Sequence, residues 1–338
     1  MILAGGMSTR LYPLTRAVPK PLVPVAGEPI TAHVLRWLKS FGYDEIAINV
    51  HYLADQIKAT FGDGSAFGVK LRYLDEAKLM GSAGALKPLQ AFFTEPFVVV
   101  GCDDLTDANL DSLTTFHKKR GALATIGLVE AKEVDQYGVV ITANDGRITE
   151  FQEKPPKGTE RSKLVNTGIY AFDPAIFEHI PADTFYDFGK QVFPGLQAQN
   201  AEFFGFRLNG AYWCDIGTPG EYVRATHDAL AGRVHLRGTR ARGISPDARL
   251  GDDVHIADDV RIGAGAVLGA RVRIVGPSVI GDGVHIGDDA VLERTIVWDR
   301  ATIGARAQLC DSVVGIDYTI PADTSLRNSI VANEPVAP

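Results

Sequence analysis

Three cysteines, at positions 102, 214 and 310 of 338 residues, are too few and too far apart for a disulfide framework. Cys-x-x-Cys spacing and clustered histidines are missing as well, so nothing supports structural zinc. No apolar run approaches ~18 residues, and the first residues lack the basic and apolar regions of a signal peptide. A soluble, cytoplasmic protein that neither enters a membrane nor binds one is therefore expected. Positive charge is also short, with 34 Lys and Arg against 41 Asp and Glu and a net charge of −7, which argues against a nucleic-acid surface. What remains is 46% apolar and 22% charged, an ordinary globular balance in a chain long enough for two domains.

The basic residues near the start must then be local ligands. Met1-Ile2-Leu3-Ala4 reads as an apolar strand that runs into Gly5-Gly6-Met7-Ser8-Thr9-Arg10-Leu11, and Pro19-Lys20-Pro21-Leu22-Val23-Pro24-Val25 follows. Two glycines permit close backbone approach, so successive N–H groups can converge on phosphate oxygens. Arg10 offers a planar fork for phosphate, and Lys20 a compact ammonium on a backbone stiffened by prolines on both sides. Gly-Gly alone would read as a packing turn. The longer pattern does not, and it matches neither a Walker loop nor a dinucleotide fingerprint.

These residues resemble the signature of the sugar nucleotidyltransferases, or NDP-sugar pyrophosphorylases, close to G-G-x-G-T-R-L-x-P-L-T followed by P-K-P-L-x-P-V-x-x-x-P-I. The match continues through Pro29-Ile30, with Ser8 standing where the family usually has a third glycine. The family's first strand commonly begins two or three residues earlier than this one. The resemblance implies that Leu3, Ala4, Gly5, Gly6, Ser8 and Thr9 line the nucleotide, and that Arg10 and Lys20 act on its phosphates.

Two periodicities divide the chain. Up to about residue 225, short apolar strands (Glu45 to Val50, Lys70 to Leu74, Phe97 to Gly101) alternate with helical stretches (Ile30 to Ser40, Gly84 to Phe93). That alternation predicts an α/β, Rossmann-like, mostly parallel sheet with helices on both faces, whose ligand lies beyond the carboxyl ends of the strands. Later, aliphatic residues recur every six positions from Ile244 through Leu250, Ile256, Ile262, Leu268, Ile274, Ile280 and Ile286 to Leu292. Trp298 keeps that register, after which the phase slips by one to Val297, Ile303 and Leu309. Glycines after the aliphatic position, at 251, 263, 269, 281, 287 and 304, suggest tight corners. This hexapeptide pattern predicts a parallel β-helix. Similarity to other hexapeptide proteins implies a left-handed one of about four turns. The expected division is a catalytic domain over 1–225, a helix and basic linker over 226–243 and the β-helix over 244–330. The linker's Arg237, Arg240 and Arg242 read as a solvated connector, with a regulatory anion site as the sharper alternative.

Carboxylates for a divalent cation stand at two strand ends, in Cys102-Asp103-Asp104-Leu105-Thr106-Asp107 and Trp213-Cys214-Asp215-Ile216-Gly217-Thr218-Pro219. Taken alone, each aspartate reads as a turn or cap. Both segments are similar to family motifs that each supply one metal carboxylate, which implies Mg2+ on Asp103 and Asp215. Cys102 replaces a usual glycine, and Asp104 is the alternative at the first position. If both carboxylates meet a metal from extended backbone, alternation turns the two neighbouring sulfurs away, and Cys102 and Cys214 read as small buried hydrophobes rather than redox sensors.

The same resemblance assigns the remaining site residues. Glu153-Lys154-Pro155 matches E-K-P, implying Lys154 on the sugar phosphate and Glu153 on a sugar hydroxyl. Tyr137-Gly138-Val139-Val140 and Val165-Asn166-Thr167-Gly168-Ile169-Tyr170 place Gly138, Asn166 and Thr167 against the sugar. Gly81-Ser82-Ala83-Gly84-Ala85-Leu86, preceded by Glu76, resembles the G-T-A-G-A-L loop that holds the base. That loop is typical of the mannose-1-phosphate guanylyltransferase branch, so the implied reaction joins GTP and mannose 1-phosphate. Thymidylyl or uridylyl transfer to glucose 1-phosphate is the alternative within the fold. From other classes, a hexapeptide acyltransferase would use a histidine base, yet His255 and His285 read as surface residues on uninterrupted coils. A catalytically silent regulatory subunit would not need the intact Arg10, Lys20, Asp103, Lys154 and Asp215. β-Helix faces commonly build symmetric assemblies, so a homo-oligomer is expected.

Overall fold

The computed structural model describes residues 1–334. They fall into two compact units, Met1–Gly6 with Trp37–Trp213, and Met7–Arg36 with the segment from Cys214 onward. No helix among the described residues is long and apolar enough to cross a membrane.

The first unit is built on a nine-stranded sheet. From one edge the order is Ile148–Glu153, Gly138–Thr142, Leu164–Phe172, Phe97–Gly101, Ile2–Leu3, Glu45–Val50 and Lys70–Asp75, with Ala124–Glu130 and Phe203–Arg207 branching from Leu164–Phe172. The four strands from Phe97–Gly101 to Lys70–Asp75 are parallel, the inner ones nearly continuous apolar runs and the edge strand Lys70–Asp75 mixed, and Leu164–Phe172 joins them antiparallel. The core cluster on the sheet contains an aromatic stack, in which Phe172, Phe188, Phe193 and Phe203 follow one another at 5.0–5.7 Å. Gly84 to Phe93 is not one helix. A turn at Gly81–Gly84 and a 3-10 turn at Lys87–Leu89 replace it, because Pro88 has no N–H to continue a ladder.

The second unit carries three all-parallel sheets of six, five and five strands, the arrangement of a left-handed parallel β-helix. Equivalent positions stack as Ile244, Ile262, Ile280, Val297, Val314 and Val331, so coils of 18 residues give way to coils of 17 and the stack runs for five turns rather than four. The shortening falls between Leu292 and Val297. Trp298 therefore does not keep the register: Val297 pairs with Ile280 inside, and Trp298 is buried outside the coil, where its indole N–H donates to the Tyr222 hydroxyl at 2.7 Å. Tyr222 lies on the Pro219–Leu230 helix, which starts at a Thr218 cap and Pro219 rather than near 226.

The coil glycines have a different cause from the corner geometry expected. Positive φ falls two residues further on, at Gly265 and Gly283 in one column and at Asp253, Arg271, Asp289, Arg306 and Asp323 in another, where acid and base alternate and Arg271–Asp289 and Arg306–Asp323 form bidentate pairs between coils. Gly281 and its counterparts are instead pressed against the next coil. A Cβ on Gly281 would lie 2.6 Å from the Asp299 nitrogen and 2.8 Å from the Trp298 carbonyl carbon, which are backbone atoms and cannot swing aside. His255 and His285 are exposed on these coils.

Gly281→Ala should therefore lower stability to urea by about 1–3 kcal/mol through overpacking. Gly220→Ala should raise it by about 0.5–1 kcal/mol, since Gly220 lies in the Pro219–Leu230 helix with nothing within 4 Å of an added Cβ. Two shifts of the same sign would contradict this account of the coil glycines.

Candidate active site

In the first unit, strand order reverses between Ile2–Leu3 and Phe97–Gly101, which lie side by side with Leu3 opposite Gly101. Loops leaving the carboxyl ends of two such strands open a crevice, the usual ligand position in parallel sheets. Ala4, Gly5 and Gly6 leave the first strand. Cys102 and Asp103 leave the second, and the Cys102 N–H donates back to Leu3 at 3.1 Å.

The two adjacent aspartates are unlike each other. Asp104 is buried and accepts from the Gly101 N–H at 3.1 Å and the Trp213 indole N–H at 3.0 Å, so each of its oxygens holds protein structure. Asp103 is half-buried, and its Oδ1 would lie 2.6 Å from a Cβ on Gly101. Glycine at the strand end thus makes room for both carboxylates.

Asn49, which the sequence reading did not single out, ties the nucleotide-side residues together. It is 4% exposed, accepts from the Ala4 N–H at 3.0 Å and donates to Glu76 Oε2 at 2.6 Å, while Glu76 Oε1 accepts from the Met80 N–H at 3.1 Å. Gly5 packs against this pair, where an added Cβ would sit 2.7 Å from Glu76 and 2.8 Å from Asn49. Beyond it, Gly81 adopts φ +78° under the Tyr186 carbonyl, and the Ala83 N–H donates to that carbonyl at 3.0 Å. The Ser82 hydroxyl donates to Asp187 at 2.8 Å and accepts from the Phe188 N–H at 2.9 Å. Internal bonds thus fix the loop from Glu76 to Gly84.

On the other side of the same sheet system, Gly138 leaves room for Phe151 and the Glu153 carboxylate. Glu153 is half-buried and desolvation raises its pKa, with the neighbouring Lys154 charge opposing the shift. Asn166 sits at a register shift in Leu164–Phe172, donating to the Tyr170 hydroxyl at 3.0 Å and accepting from the Gly168 N–H at 2.9 Å. Thr167 is 2% exposed and its hydroxyl donates to Gly127 at 2.8 Å, so its side chain serves the sheet. Lys154 is exposed and has φ +45°, a conformation costing about 1–3 kcal/mol that is retained most often where function requires it.

In the second unit, Ser8 adopts left-handed φ 52°, ψ 40°, which accounts for glycine being usual there; its carbonyl accepts from the Leu11 N–H at 3.1 Å and the Thr15 hydroxyl at 2.8 Å. Thr9 and Arg10 are exposed on the short turn that follows. Lys20, 8% exposed, pairs with Asp215 at 3.3 Å. Gly217 completes this corner, because a Cβ there would lie 2.9 Å from Arg10 Nη2 and from both Asp215 oxygens. Arg10, Lys20 and Asp215 thus converge around one glycine, which the W-x-D-I-G-T-P motif already contained. The Cys214 thiol faces the other way, toward Glu221 at 3.3 Å and Arg224 at 3.2 Å, and burial raises its pKa, which disfavours a reactive thiolate.

Among the described residues, no group of three or more His, Cys, Asp or Glu side chains gathers as a metal cluster. Asp103 and Asp215 offer carboxylate oxygens, the hard donors that magnesium takes with water and substrate phosphate completing its shell, so the residues present fit that ion in kind.

Comparison with known proteins agrees with these motifs. The nucleotidyl transferase family model matches residues 1–232, and the GMPPB C-terminal domain model matches residues 240–336. A UTP–glucose-1-phosphate uridylyltransferase of Synechocystis is 35% identical over 95% of this chain and 88% of its own. A mannose-1-phosphate guanylyltransferase of Mycobacterium tuberculosis is 32% identical over 87% of this chain and 82% of its own. A Bacillus anthracis crystal structure assigned as a glucose-1-phosphate thymidylyltransferase shares the fold at TM-score 0.62 and 24% identity, covering 71% of this chain and 96% of that one.

Asn49→Ala should strand the buried Ala4 N–H and release Glu76, lowering stability by about 1–3 kcal/mol in denaturant unfolding. An unchanged midpoint would show that the Asn49 links contribute nothing to holding the turn.

Proposed function

We propose that this chain, which belongs to the nucleotidyl transferase family, makes its NDP-sugar from UTP and glucose 1-phosphate. The coarser activity, transfer of a nucleotidyl group from a nucleoside triphosphate to a sugar 1-phosphate with release of pyrophosphate, is that of the family. The observation that carries the chemistry is the corner at Gly217, where two cations and a carboxylate converge. For the substrate pair, the support is the 35% identity to the uridylyltransferase over nearly the whole chain. Guanylyl transfer to mannose 1-phosphate is the second reading, favoured by the C-terminal family match and by the base-loop sequence.

A phosphate oxygen of the sugar 1-phosphate attacks the α-phosphorus, a P–O bond forms, and the bond to the β-phosphate breaks as pyrophosphate leaves. Lys154 orients the attacking phosphate, and Glu153 accepts from a sugar hydroxyl beside Gly138, Asn166 and Thr167. Arg10 and Lys20 offset negative charge on the triphosphate, with Ser8 and Thr9 in the turn beside them. Leu3, Ala4, Gly5 and Gly6 bring backbone close to the nucleotide, and Glu76, Gly81, Ser82 and Ala83 shape the loop for the base. Asp103 and Asp215 would hold magnesium, which would supply charge neutralisation to the phosphates. Both reactants are anions, so alignment and charge compensation dominate over proton transfer.

Pyrophosphate release measured over UTP, GTP, dTTP, CTP and ATP against glucose, mannose and N-acetylglucosamine 1-phosphates should give its strongest signal with UTP and glucose 1-phosphate. A dominant GTP and mannose 1-phosphate signal would select the second reading. Asp103→Ala should cut turnover at least ~100-fold, equivalent to about 2.7 kcal/mol of barrier or more. Near-normal turnover would remove Asp103 from the metal site.

Glu153 must be ionised to accept the sugar hydroxyl, and its raised pKa means that it protonates at a higher pH than the ordinary glutamate value of 4.5. KM for the sugar phosphate should therefore begin to rise on acidification while the pH is still above that value, and Glu153→Gln should abolish this limb. Burial has the opposite sign for stability. With its folded pKa raised, Glu153 contributes stability that is fully present below the unfolded value and lost as pH rises through the folded one.

A further inference from the structure

The segment that carries Lys20 is held from the β-helix by a relay of buried hydrogen bonds. Shortening one coil by a residue turns Trp298 out of the apolar interior, yet it stays 2% exposed because it packs edge-on against Tyr222, with ring centres 6.1 Å apart at 82°. Its indole N–H donates to the Tyr222 hydroxyl at 2.7 Å, and that hydroxyl donates in turn to the Pro24 carbonyl at 2.9 Å. Tyr222 is fully buried, so its hydroxyl has no water to exchange for either partner.

Pro24 lies four residues beyond Lys20. The chain between them is folded tightly: Lys20–Leu22 forms a 3-10 turn whose Lys20 carbonyl accepts from the Val23 N–H at 3.0 Å, and Pro24–Val25 pairs with Glu28–Pro29. Arg261 of the coils also lies over Gly27 of this hairpin, where any Cβ would collide with its guanidinium, while its Nη1 donates to the Arg240 carbonyl at 2.8 Å. Asp215, the partner of Lys20, stands three residues before the Thr218 cap of the helix that bears Tyr222. Both members of the Lys20–Asp215 pair therefore hang from the Tyr222 junction.

We propose that Trp298 and Tyr222 are positioning residues that hold Lys20 for the nucleotide's phosphates, so that the outer wall of the β-helix supports substrate binding. This rests on the reading of Lys20 as a triphosphate contact. Neither side chain touches substrate, and the pair acts by fixing where the Lys20 ammonium sits.

The test is calorimetric binding of UTP or GTP with Mg2+ to the full-length protein, without sugar phosphate. Trp298→Phe keeps an aromatic ring and removes the N–H donor, and Tyr222→Phe removes the hydroxyl. Each is expected to bind the triphosphate roughly three- to tenfold more weakly, the scale of a neutral hydrogen bond. In a Lys20→Ala background, adding Trp298→Phe should change affinity less than about twofold, because a route through Lys20 has already been cut. Wild-type affinity in both single variants, even with a lowered melting temperature, would overturn the proposal. So would an equal loss with and without Lys20, which marks a structural role alone. A wild-type protein that binds neither triphosphate would overturn the functional reading as well, which separates the two failures.

Discussion

A buried ammonium cannot be left without a partner, and the second unit is arranged around that requirement. Lys20 is 8% exposed and meets Asp215 at 3.3 Å, so the strand end bearing Asp215 must stop beside the prolines that flank the lysine. Gly217 follows because a side chain there would displace either the Asp215 carboxylate or the Arg10 guanidinium. Thr218 then caps the next helix, and that helix buries Tyr222 between Trp298 and Pro24. One electrostatic demand thus fixes a strand end, a glycine, a helix start and a side-chain junction in succession.

The first unit answers a different demand. Its parallel strands satisfy their own backbone groups and leave charge to be handled where they end, beside Gly5, Gly6 and Asp103. Asp104 holds the turn by accepting from Gly101 and Trp213, while Asp103 remains half-buried at the crevice. A run of two identical residues therefore divides into one buried beneath the turn and one half-buried at the strand end.

Much of this was legible in the chain wherever local spacing carries the information. The hexapeptide period announced the β-helix, and apolar runs announced the parallel strands. Local spacing misled where one pattern has two physical causes. Glycine after many of the aliphatic residues suggested left-handed corners, yet the corners fall two residues later, on Asp and Arg as well as on Gly265 and Gly283, and the first glycine marks close coil contact. The place at which a period loses one residue is equally hard to read, because Val297 and Trp298 are both apolar and only pairing with Ile280 decides between them. Links between distant residues left no local signal at all. Asn49 looks like any polar residue in a strand until Ala4, 45 positions earlier, and Glu76, 27 later, are brought to its two ends.

The composition of the second unit also orders events in time. Residues 7–36 are synthesised well before the residues with which they form a compact body, which begin at Cys214. The intervening chain takes about 9–35 s to make at ~5–20 residues per second, and the early segment must wait through that interval without its packing partners. Such a long closure is intrinsically slow compared with pairing of strands near one another in the chain. The part of the sequence that is plainest to read is thus one whose packing joins widely separated stretches of chain.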